Sequence, residues 1–378
     1  MLKIEGKYTN ADVMLEDYSD LEEETSKQIS TFINHPVFKD SKISIMPDCH
    51  SGSGSCIGFT SIINILKPII IPNIVGVDIG CGVSSYLIND KKEIDFERFH
   101  NFLIENVPSG FNKHSNPKEV LDFYLDSDIK KISCRTEQNI ENVLCSLGTL
   151  GGGNHFIEID KDDQDRLWLT IHTGSRNFGL RIANFHQAIA KEIKNYPCVS
   201  NLEYLTGKEA QAYFDDMIIA QAYAKLNRAL IAEKILIDFF NQKGIRTKIE
   251  SIHNYIEFQK DIAIIRKGAI SAYKGQNLII PLNMRDGIII GKGKENIEWN
   301  YSAPHGAGRI LARSKAKKTL SLDTFKKTME NVWSKCISKD TLDESPMAYK
   351  DSQRIIDSIK DTVDIEFIMK PVFNFKAQ

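Results

Sequence analysis

Short apolar runs interrupted by glycine dominate long stretches of this chain and restrict what it can fold into. From residue 43 the sequence reads ISIMPDCHSGSGSCIGFT, and from residue 74 it reads IVGVDIGCGVSSYLI. Runs of this length, bounded by glycine and proline, predict buried strands joined by tight loops. The same texture predicts further strands within 146–179, within 249–292 and in the closing segment FIMKPVFNF.

The remaining segments are charged and amphipathic, which predicts helices. We expect helical structure in part of the first 35 residues, over 92–143 with a loop near 112–117, as one long helix over 205–241, and over 317–362. Together these patterns predict a fold of the α/β (α+β) class, with mixed central sheets and surrounding helices. The sequence has no repeat or Pro/Ser-rich linker, so we predict one domain over 1–378 whose glycine-rich loops converge on one site.

Composition excludes several classes of protein. Apolar residues make up 42% and charged residues 26% of the chain, which is typical of a soluble globular protein. Apolar runs stay well short of the roughly 20 residues that span a bilayer, and the N-terminus does not resemble a secretory signal. The seven cysteines do not suggest a disulfide framework. We therefore expect a cytoplasmic protein without a membrane segment. The net charge of −2 argues against a strong nucleic-acid binder but does not exclude a local basic patch.

Five of the nine histidines lie in conspicuous loops at predicted strand ends, and catalytic groups favour such loops. They are His50, His155, His172, His253 and His305. A single histidine is more often a hydrogen-bonded core or surface residue, but five in one kind of loop indicate a site. The other four, His35, His100, His114 and His186, lie in helical or surface contexts without special neighbours.

Asp78 and Cys81, three residues apart in VDIGCG, suggest a metal site. Cys81 alone would be interpreted as a small buried hydrophobic residue. Imidazoles from His155, His172 and His253 could complete one or two coordination shells around the two. Mixed oxygen, sulfur and nitrogen ligands suit Mn, Fe, Co or Zn better than Mg or Ca.

Two further segments suggest phosphate chemistry. Three glycines precede Asn154, and their backbone N–H groups could cradle a phosphate, although the segment matches neither the P-loop nor the dinucleotide pattern. The most basic stretch, APHGAGRILARSKAKK, begins around His305, whose imidazole could attack an activated phosphate. Arg176 and Arg309 could bind phosphate oxygens in pairs. The alternative for the basic stretch is a solvated cationic helix face.

Taken in order, these segments resemble the RtcB family of RNA ligases. The shared motifs are MPDCH, VGVDIGCG, GTLGGGNHFIE, HTGSR, HNY, HGAGR and KPVFNFK, and they extend from Met46 to Lys376. The resemblance implies that His305 attacks the α-phosphate of GTP and holds GMP, and that Asp48 orients its imidazole. It implies two Mn²⁺ ions bound by Asp78, Cys81, His155, His172 and His253.

The resemblance also implies a nucleotide pocket and an RNA contact surface. The pocket would be lined by Asn154, Phe156, Glu158, Asn283, Gly306, Ala307, Gly308, Tyr349 and Lys376. Arg176 and Arg309 would hold RNA phosphates or the GTP tail. The implied reaction joins an RNA 3′-phosphate, or 2′,3′-cyclic phosphate, to a 5′-hydroxyl through GMP-histidine and a GMP-activated RNA end, in RNA repair or tRNA splicing. We expect a monomer. An activator of the archease type is a further candidate partner.

The chain departs from the family pattern in two loops, which suggests a divergent, shorter branch. Ser53 stands where a lysine is common, and the segment PLNMRDGI at 281–288 has Asn283 and Ile288 in place of serines. Arg285 and Asp286 add charge to that loop. Three alternatives stay open: a metal-dependent phosphoesterase, a guanylyltransferase that caps RNA 3′-phosphates without ligation, and an RNA-binding protein without activity. The intact HGAGR and metal motifs disfavour the first and the last.

Overall fold

The computed structural model describes residues 1–64, 69–89, 93–118, 123–244 and 247–377. Ten α-helices are formed: α1 Glu23–Ile33, α2 Pro72–Val75, α3 Phe96–Asn106, α4 Phe123–Ile129, α5 Ile140–Cys145, α6 Arg176–Ile193, α7 Gly207–Lys234, α8 Arg313–Thr319, α9 Leu322–Thr328 and α10 Ser352–Ser358. A π-helical turn, Ile235–Phe239, extends α7. Among the described helices, none combines the length and the apolar character that crossing a membrane requires.

Within the described ranges, seventeen strands accompany these helices. They are β1 Leu2–Ile4, β2 Ala11–Val13, β3 Lys42–His50, β4 Ile57–Asn64, β5 Ile69–Ile70, β6 Gly82–Leu87, β7 Phe156–Lys161, β8 Leu167–Thr173, β9 Leu205–Thr206, β10 Lys248–Ile252, β11 Tyr255–Gln259, β12 Ile262–Lys267, β13 Ala269–Ser271, β14 Asn277–Asn283, β15 Gly287–Gly293, β16 Ser302–Pro304 and β17 Val363–Lys376. The α/β class predicted from the sequence is confirmed.

A seven-stranded sheet, in the order β10-β6-β8-β7-β17-β15-β14, carries most of the candidate site. All of its described strand pairs are antiparallel. The long strand β17 pairs with β15 along its first half and with β7 along its second half, which brings Lys376 opposite Phe156. One strand therefore joins both halves of this sheet.

A six-stranded sheet, in the order β1-β2-β3-β4-β12-β11, forms the second layer. It is mixed, because β2 runs parallel to β3 while the other pairs are antiparallel. Strand β3 ends in the segment PDCH, and the glycine-rich segment that follows leads into β4. Two small two-stranded ladders, β13-β16 and β5-β9, complete the strand pairing.

Helix α7 packs against both main hydrophobic cores. Tyr213 and Met217 belong to a core shared with α1, α6 and the six-stranded sheet, whereas Ile231 belongs to a core on the seven-stranded sheet. Its buried face recurs at helical spacing, and that face also includes the polar residues Asn227 and Arg228. The single long helix predicted over 205–241 is confirmed.

The helical tail predicted over 317–362 is largely wrong. Only α8, α9 and α10 are α-helical there, and 329–351 consists of turns, loops and two short 3-10 helices, Leu342–Glu344 and Pro346–Ala348. This stretch is rich in Ser, Thr and Asp, whose side chains compete with the helix by bonding to nearby backbone. For example, the Ser338 and Asp340 amides donate to the hydroxyls of Thr341 and Ser338. The strand texture predicted over 146–179 also ends earlier than expected, because α6 begins at Arg176.

Candidate functional site

A buried carboxylate at the end of β3 holds the histidine of the HGAGR segment. Asp48 is fully buried, and His305 Nδ1 lies 2.8 Å from its Oδ2. With Nδ1 donating to Asp48, the Nε2 atom carries the free lone pair. His305 is half-buried and lines a cavity. An imidazole nitrogen with a free lone pair beside a cavity is a candidate nucleophile.

Glycine is required where the HGAGR segment passes over β3. Gly308 has a positive φ of 74°, and a Cβ atom there would lie 2.2 Å from the backbone oxygen of Asp48. That distance is far inside van der Waals contact, so any side chain would push the two segments apart. The motif thus allows the close approach that places His305 beside Asp48.

Three of the predicted metal ligands form a tight buried cluster at one end of the seven-stranded sheet. The Cys81 Sγ atom lies 3.5 Å from His155 Nε2 and 3.3 Å from His172 Nε2. Asp78 Oδ2 lies 3.0 Å from His155 Nε2. Cross-strand pairing of β6, β7 and β8 brings these residues together, because Phe156 pairs with His172. The ligand atoms of Cys81, His155 and His172 lie within 4.8 Å of one another, close enough to hold one ion.

His253 connects this cluster to the candidate nucleophile. It follows β10, and its ring centre lies 5.4 Å from that of His172 and 4.8 Å from that of His305. The five predicted metal ligands and the Asp48–His305 pair are therefore neighbours in one site, although they lie far apart in sequence.

Backbone carbonyls orient the imidazoles toward the thiol. His155 Nδ1 lies 2.9 Å from the Leu150 oxygen, and His172 Nδ1 lies 3.3 Å from the Asn154 oxygen. Both contacts leave Nε2 facing Cys81. A partner of this kind on the far nitrogen is the usual support of a metal-binding histidine.

The protonation preferences of the cluster fit a metal site. Burial, and then the neighbouring Asp78 carboxylate, raises the pKa of the Cys81 thiol well above its usual range. Burial, and then the neighbouring imidazoles, hold the pKa of His172 and of His253 well below the usual range, so both rings are neutral and able to bind a metal. A divalent cation would supply the charge that makes a thiolate at Cys81 favourable. The donor set therefore fits a divalent transition metal.

Arg228 supports the backbone beside the Cys81 cluster, and sequence reasoning missed this residue. Its fully buried guanidinium donates from Nη1 to the backbone oxygens of Gly80 and Thr173, both at 3.0 Å, and from Nε to Glu250 at 3.2 Å. The residue lies inside the buried face of α7, where helical spacing predicts an apolar side chain. A buried charge at such a position is the one signal that could have found it.

A cavity of about 460 Å³ opens beside His305 and His172. All nine residues predicted for the nucleotide pocket line it: Asn154, Phe156, Glu158, Asn283, Gly306, Ala307, Gly308, Tyr349 and Lys376. Its other lining residues include His50, Arg309, Arg313 and Glu344. The volume lies within the range usual for a small-molecule site.

A buried acid, Glu344, organises the far wall of the cavity, and sequence reasoning missed it. Its carboxylate accepts hydrogen bonds from Lys376 Nζ and the Tyr349 hydroxyl, each at 2.8 Å, and from Arg313. Burial alone would raise its pKa, but Lys376 and the two arginines lower it to about 2. The anion is thus held in place, and it fixes Lys376 and Tyr349 against the cavity.

The predicted phosphate-binding arginines are both engaged with protein atoms. Arg309 donates to the backbone oxygens of Leu311 at 3.0 Å and Asp343 at 2.6 Å, and it contacts Glu344 at 3.3 Å. Arg176 donates to Thr149 Oγ1 at 3.2 Å and to the Gly110 oxygen at 3.1 Å. Arg309 lines the cavity, whereas Arg176 is not among its lining residues.

Glu158 lines the cavity, and its surroundings favour the protonated form of its carboxyl group. Its Oε1 accepts a hydrogen bond of 2.6 Å from Asn374 on β17. Burial, and then the neighbouring carboxyl of Asp160, raises the pKa of Glu158 well above its usual range. A carboxylic acid in this form can donate as well as accept a hydrogen bond.

The divergent 281–288 loop is held by hydrogen bonds among its own residues. The Asn283 side-chain amide donates to Asp286 Oδ2 at 2.7 Å, and its oxygen accepts from the Arg285 and Asp286 amides. Ser352 completes the cluster with a 2.6 Å bond to Asp286. Ile288 is buried in the sheet core rather than at the cavity.

Among the four histidines given no role, His186 does have a specific neighbour. It is fully buried on α6, and its Nε2 lies 2.9 Å from Asp216 Oδ2 on α7. Its helical context is as predicted, and the partner, 30 residues away in sequence, gave no local signal. The pair belongs to the helical core and lies outside the residues that line the cavity.

Comparison with known proteins adds an independent finding. Residues 28–377 match the model of the family described as "tRNA-splicing ligase RtcB". The chain is 32% identical to the RNA-splicing ligase RtcB of Escherichia coli (strain K12) over 374 residues, covering 89% of this chain and 90% of that protein. It is 29% identical to the tRNA-splicing ligase RtcB of Nanoarchaeum equitans, covering 82% and 83%, and 28% identical to that of Methanococcus maripaludis, covering 91% and 89%.

Proposed function

This chain belongs to the RtcB family of RNA ligases, and on that premise we propose that it joins an RNA 3′-phosphate or 2′,3′-cyclic phosphate to a 5′-hydroxyl using GTP. The observation that carries the proposal is the Asp48–His305 pair beside a cavity of nucleotide size. A phosphoesterase would need the Cys81 cluster but neither of these.

In the first step, His305 Nε2 attacks the α-phosphorus of GTP. A P–N bond forms, the bond to the bridging oxygen breaks, and pyrophosphate leaves. Asp48 keeps the proton on Nδ1 and stabilises the positive charge that develops on the ring, as a carboxylate does for other catalytic histidines. The 2.8 Å contact supports this role.

The cavity lining suits a guanine nucleotide. The carboxyl group of Glu158, and Lys376 held by Glu344, offer hydrogen bonds to the edge of a base, and Tyr349 offers an aromatic ring. The Asn283 amide, in contrast, is engaged within its own loop. We therefore assign base recognition to Glu158 and Lys376 rather than to Asn283.

The RNA ends react in two further steps. An oxygen of the RNA 3′-phosphate attacks the GMP phosphorus, and the P–N bond to His305 breaks. The 5′-hydroxyl oxygen then attacks the RNA phosphorus, its proton passes to solvent, and GMP leaves. A 2′,3′-cyclic phosphate is first opened by water. Two divalent ions held by Asp78, Cys81, His155, His172 and His253, with Mn²⁺ as the proposed metal, would neutralise charge on the crowded phosphates.

Incubation with α-labelled GTP and Mn²⁺ tests the proposal, with ATP and His305→Ala as controls. Acid-labile label that requires GTP and His305 is the expected result. Label from neither nucleotide by metal-loaded protein would refute the ligase and favour the phosphoesterase. Label that passes to RNA 3′-phosphate without a joined product would instead identify a capping guanylyltransferase.

Four expectations stay predictions: a single catalytic domain, a monomer, a cytoplasmic location and an activator of the archease type. The first is supported by the cavity, whose lining extends from Glu22 to Lys376.

A further inference from the structure

We propose that Phe111 is a stacking platform for an unpaired base of the RNA, close to the metal end of the site. The inference rests on the proposed function, because it assigns a contact to the RNA of that reaction. It starts from the position and exposure of one aromatic side chain in the loop between α3 and α4.

The loop that carries Phe111 is fixed to the glycine-rich segment before β7. The Gly110 amide donates to the Gly151 oxygen and the Leu150 amide donates to the Pro108 oxygen, both at 2.9 Å. Arg176 adds a third hydrogen bond to this contact, because its Nη2 donates to the Gly110 oxygen. These bonds hold the backbone on the N-terminal side of Phe111, and on the other side the His114 amide donates to the Cys145 oxygen at 2.9 Å.

This attachment also places the loop next to the metal cluster. The Leu150 oxygen contacts Nδ1 of His155 at 2.9 Å, and Gly151 packs directly on the guanidinium of Arg176. Leu150 directly precedes Gly151, whose backbone oxygen accepts the hydrogen bond from the Gly110 amide, and Phe111 follows Gly110. RNA with its reactive end at the cluster would pass this loop.

The Phe111 ring is fully exposed, unlike most aromatic rings in the described part of the chain. The segment 107–118 contains Lys113 and Lys118, both exposed, and no Asp or Glu. An aromatic face beside cationic groups is the usual equipment for single-stranded nucleic acid, because bases stack on the ring while phosphates meet the charges.

The surroundings favour RNA over a protein partner. A protein interface uses a contiguous apolar patch. The sequence neighbours of Phe111 from Ser109 to Ser115 are glycine or polar residues, and the ring itself is fully exposed, so this segment offers a single apolar group. A single ring among polar groups suits a base better than an apolar protein surface.

A cycle of protein and RNA changes tests the contact. Binding of fluorescent single-stranded RNA with a 3′-phosphate is measured by anisotropy without GTP, so that no joining occurs. Phe111→Ala should raise Kd about 10-fold, and Phe111→Trp should restore it. An abasic nucleotide is then moved through the last positions of the RNA. At one position, the losses of binding free energy caused by the abasic nucleotide and by Phe111→Ala should not be additive, which identifies the base that stacks on the ring.

Tyr196→Ala is the matched control. Tyr196 is also exposed, and it lies just beyond the far end of α6, roughly 27 Å along the helix from Arg176. Its replacement should leave Kd unchanged, and Phe111→Ala should leave labelling of His305 by GTP unchanged.

Three results would overturn the inference: an unchanged Kd in Phe111→Ala, additive effects at every abasic position, or an equal loss in Tyr196→Ala. Failure of the proposed function is distinct, because the wild-type protein would then bind RNA without being labelled by GTP or joining ends. Wild-type joining with normal RNA binding by Phe111→Ala would refute only the stacking contact.

Discussion

Replacing Asp48 with asparagine isolates what the buried carboxylate does for His305. The two side chains have nearly the same size, and Asp48 is fully buried with its Oδ1 atom unpartnered among the described residues. The substitution therefore removes charge while preserving packing. We expect the protein to fold and to bind metal, but to lose most of its reactivity toward GTP.

The magnitude follows from the 2.8 Å contact between Asp48 and His305. A hydrogen bond to a charged group contributes about 1.5–3 kcal/mol, and about 1.4 kcal/mol corresponds to tenfold in rate. Loss of this term alone predicts guanylylation about 10- to 100-fold slower. An asparagine amide that donates to Nδ1 would also move the ring proton to Nε2, and the corresponding change in a serine protease costs about 10⁴-fold. We expect a decrease between these limits.

The assay is the initial rate of acid-labile label transfer from α-labelled GTP at saturating Mn²⁺. Asp216→Asn is the matched control, because Asp216 holds His186 at 2.9 Å in a buried pair outside the cavity. That variant should keep the wild-type rate once folded. A rate for Asp48→Asn less than about tenfold below wild type would refute the orienting role, as would an equal loss in Asp216→Asn.

Three further predictions concern the metal, the nucleotide and acid stability. Cys81→Ala should weaken Mn²⁺ binding about 100-fold by calorimetry, because it removes the thiolate from the cluster, whereas Cys134→Ala, at another buried cysteine, should not. Lys376→Met should raise the KM for GTP about 10-fold or more, because it removes a charged hydrogen-bond donor from the cavity. Lys370→Met, on the same strand but exposed, should have little effect. Equal KM values in the two variants would exclude base recognition by Lys376. The pKa of Glu344 lies at about 2 instead of its ordinary 4.5, so its stabilisation is complete above pH 4.5 and is lost as the pH falls toward 2. The unfolding free energy of wild type should exceed that of Glu344→Gln by about 3 kcal/mol at neutral pH, and this difference should narrow below about pH 4.5; a constant difference down to about pH 3 would contradict the assignment.

The motif-bearing loops were the part of the site that could be predicted from the sequence. Glycine and histidine in HGAGR and GGGNHF stand out because close approach and ligand chemistry restrict the residue type. The positions of Cys81, His155 and His172 around one point follow from the pairing of β6, β7 and β8. The sequence predicts the fold class and the strands but not which strands pair. Their convergence was an expectation, and the structure brings them together.

Residues that act through others were missed for a physical reason. Glu344 lies in an irregular segment where neither periodicity nor a glycine pattern marks it, and its role depends on Lys376 and Arg313, which are distant in sequence. Arg228 lies on a helix whose spacing predicts an apolar residue. Buried charges of this kind are recognised only when their partners are known, and those partners come from the tertiary fold.

The hydrogen bond between Asp48 and His305 joins residues 257 positions apart in the chain. Contacts of such long range form late in folding, because the loop entropy between them is lost before any stabilisation is gained. In a refolding experiment, recovery of labelling by GTP should therefore lag behind recovery of secondary structure. Guanylylation of His305 would then report on the last stage of folding, when the HGAGR segment packs against β3 and the reactive nitrogen acquires its partner.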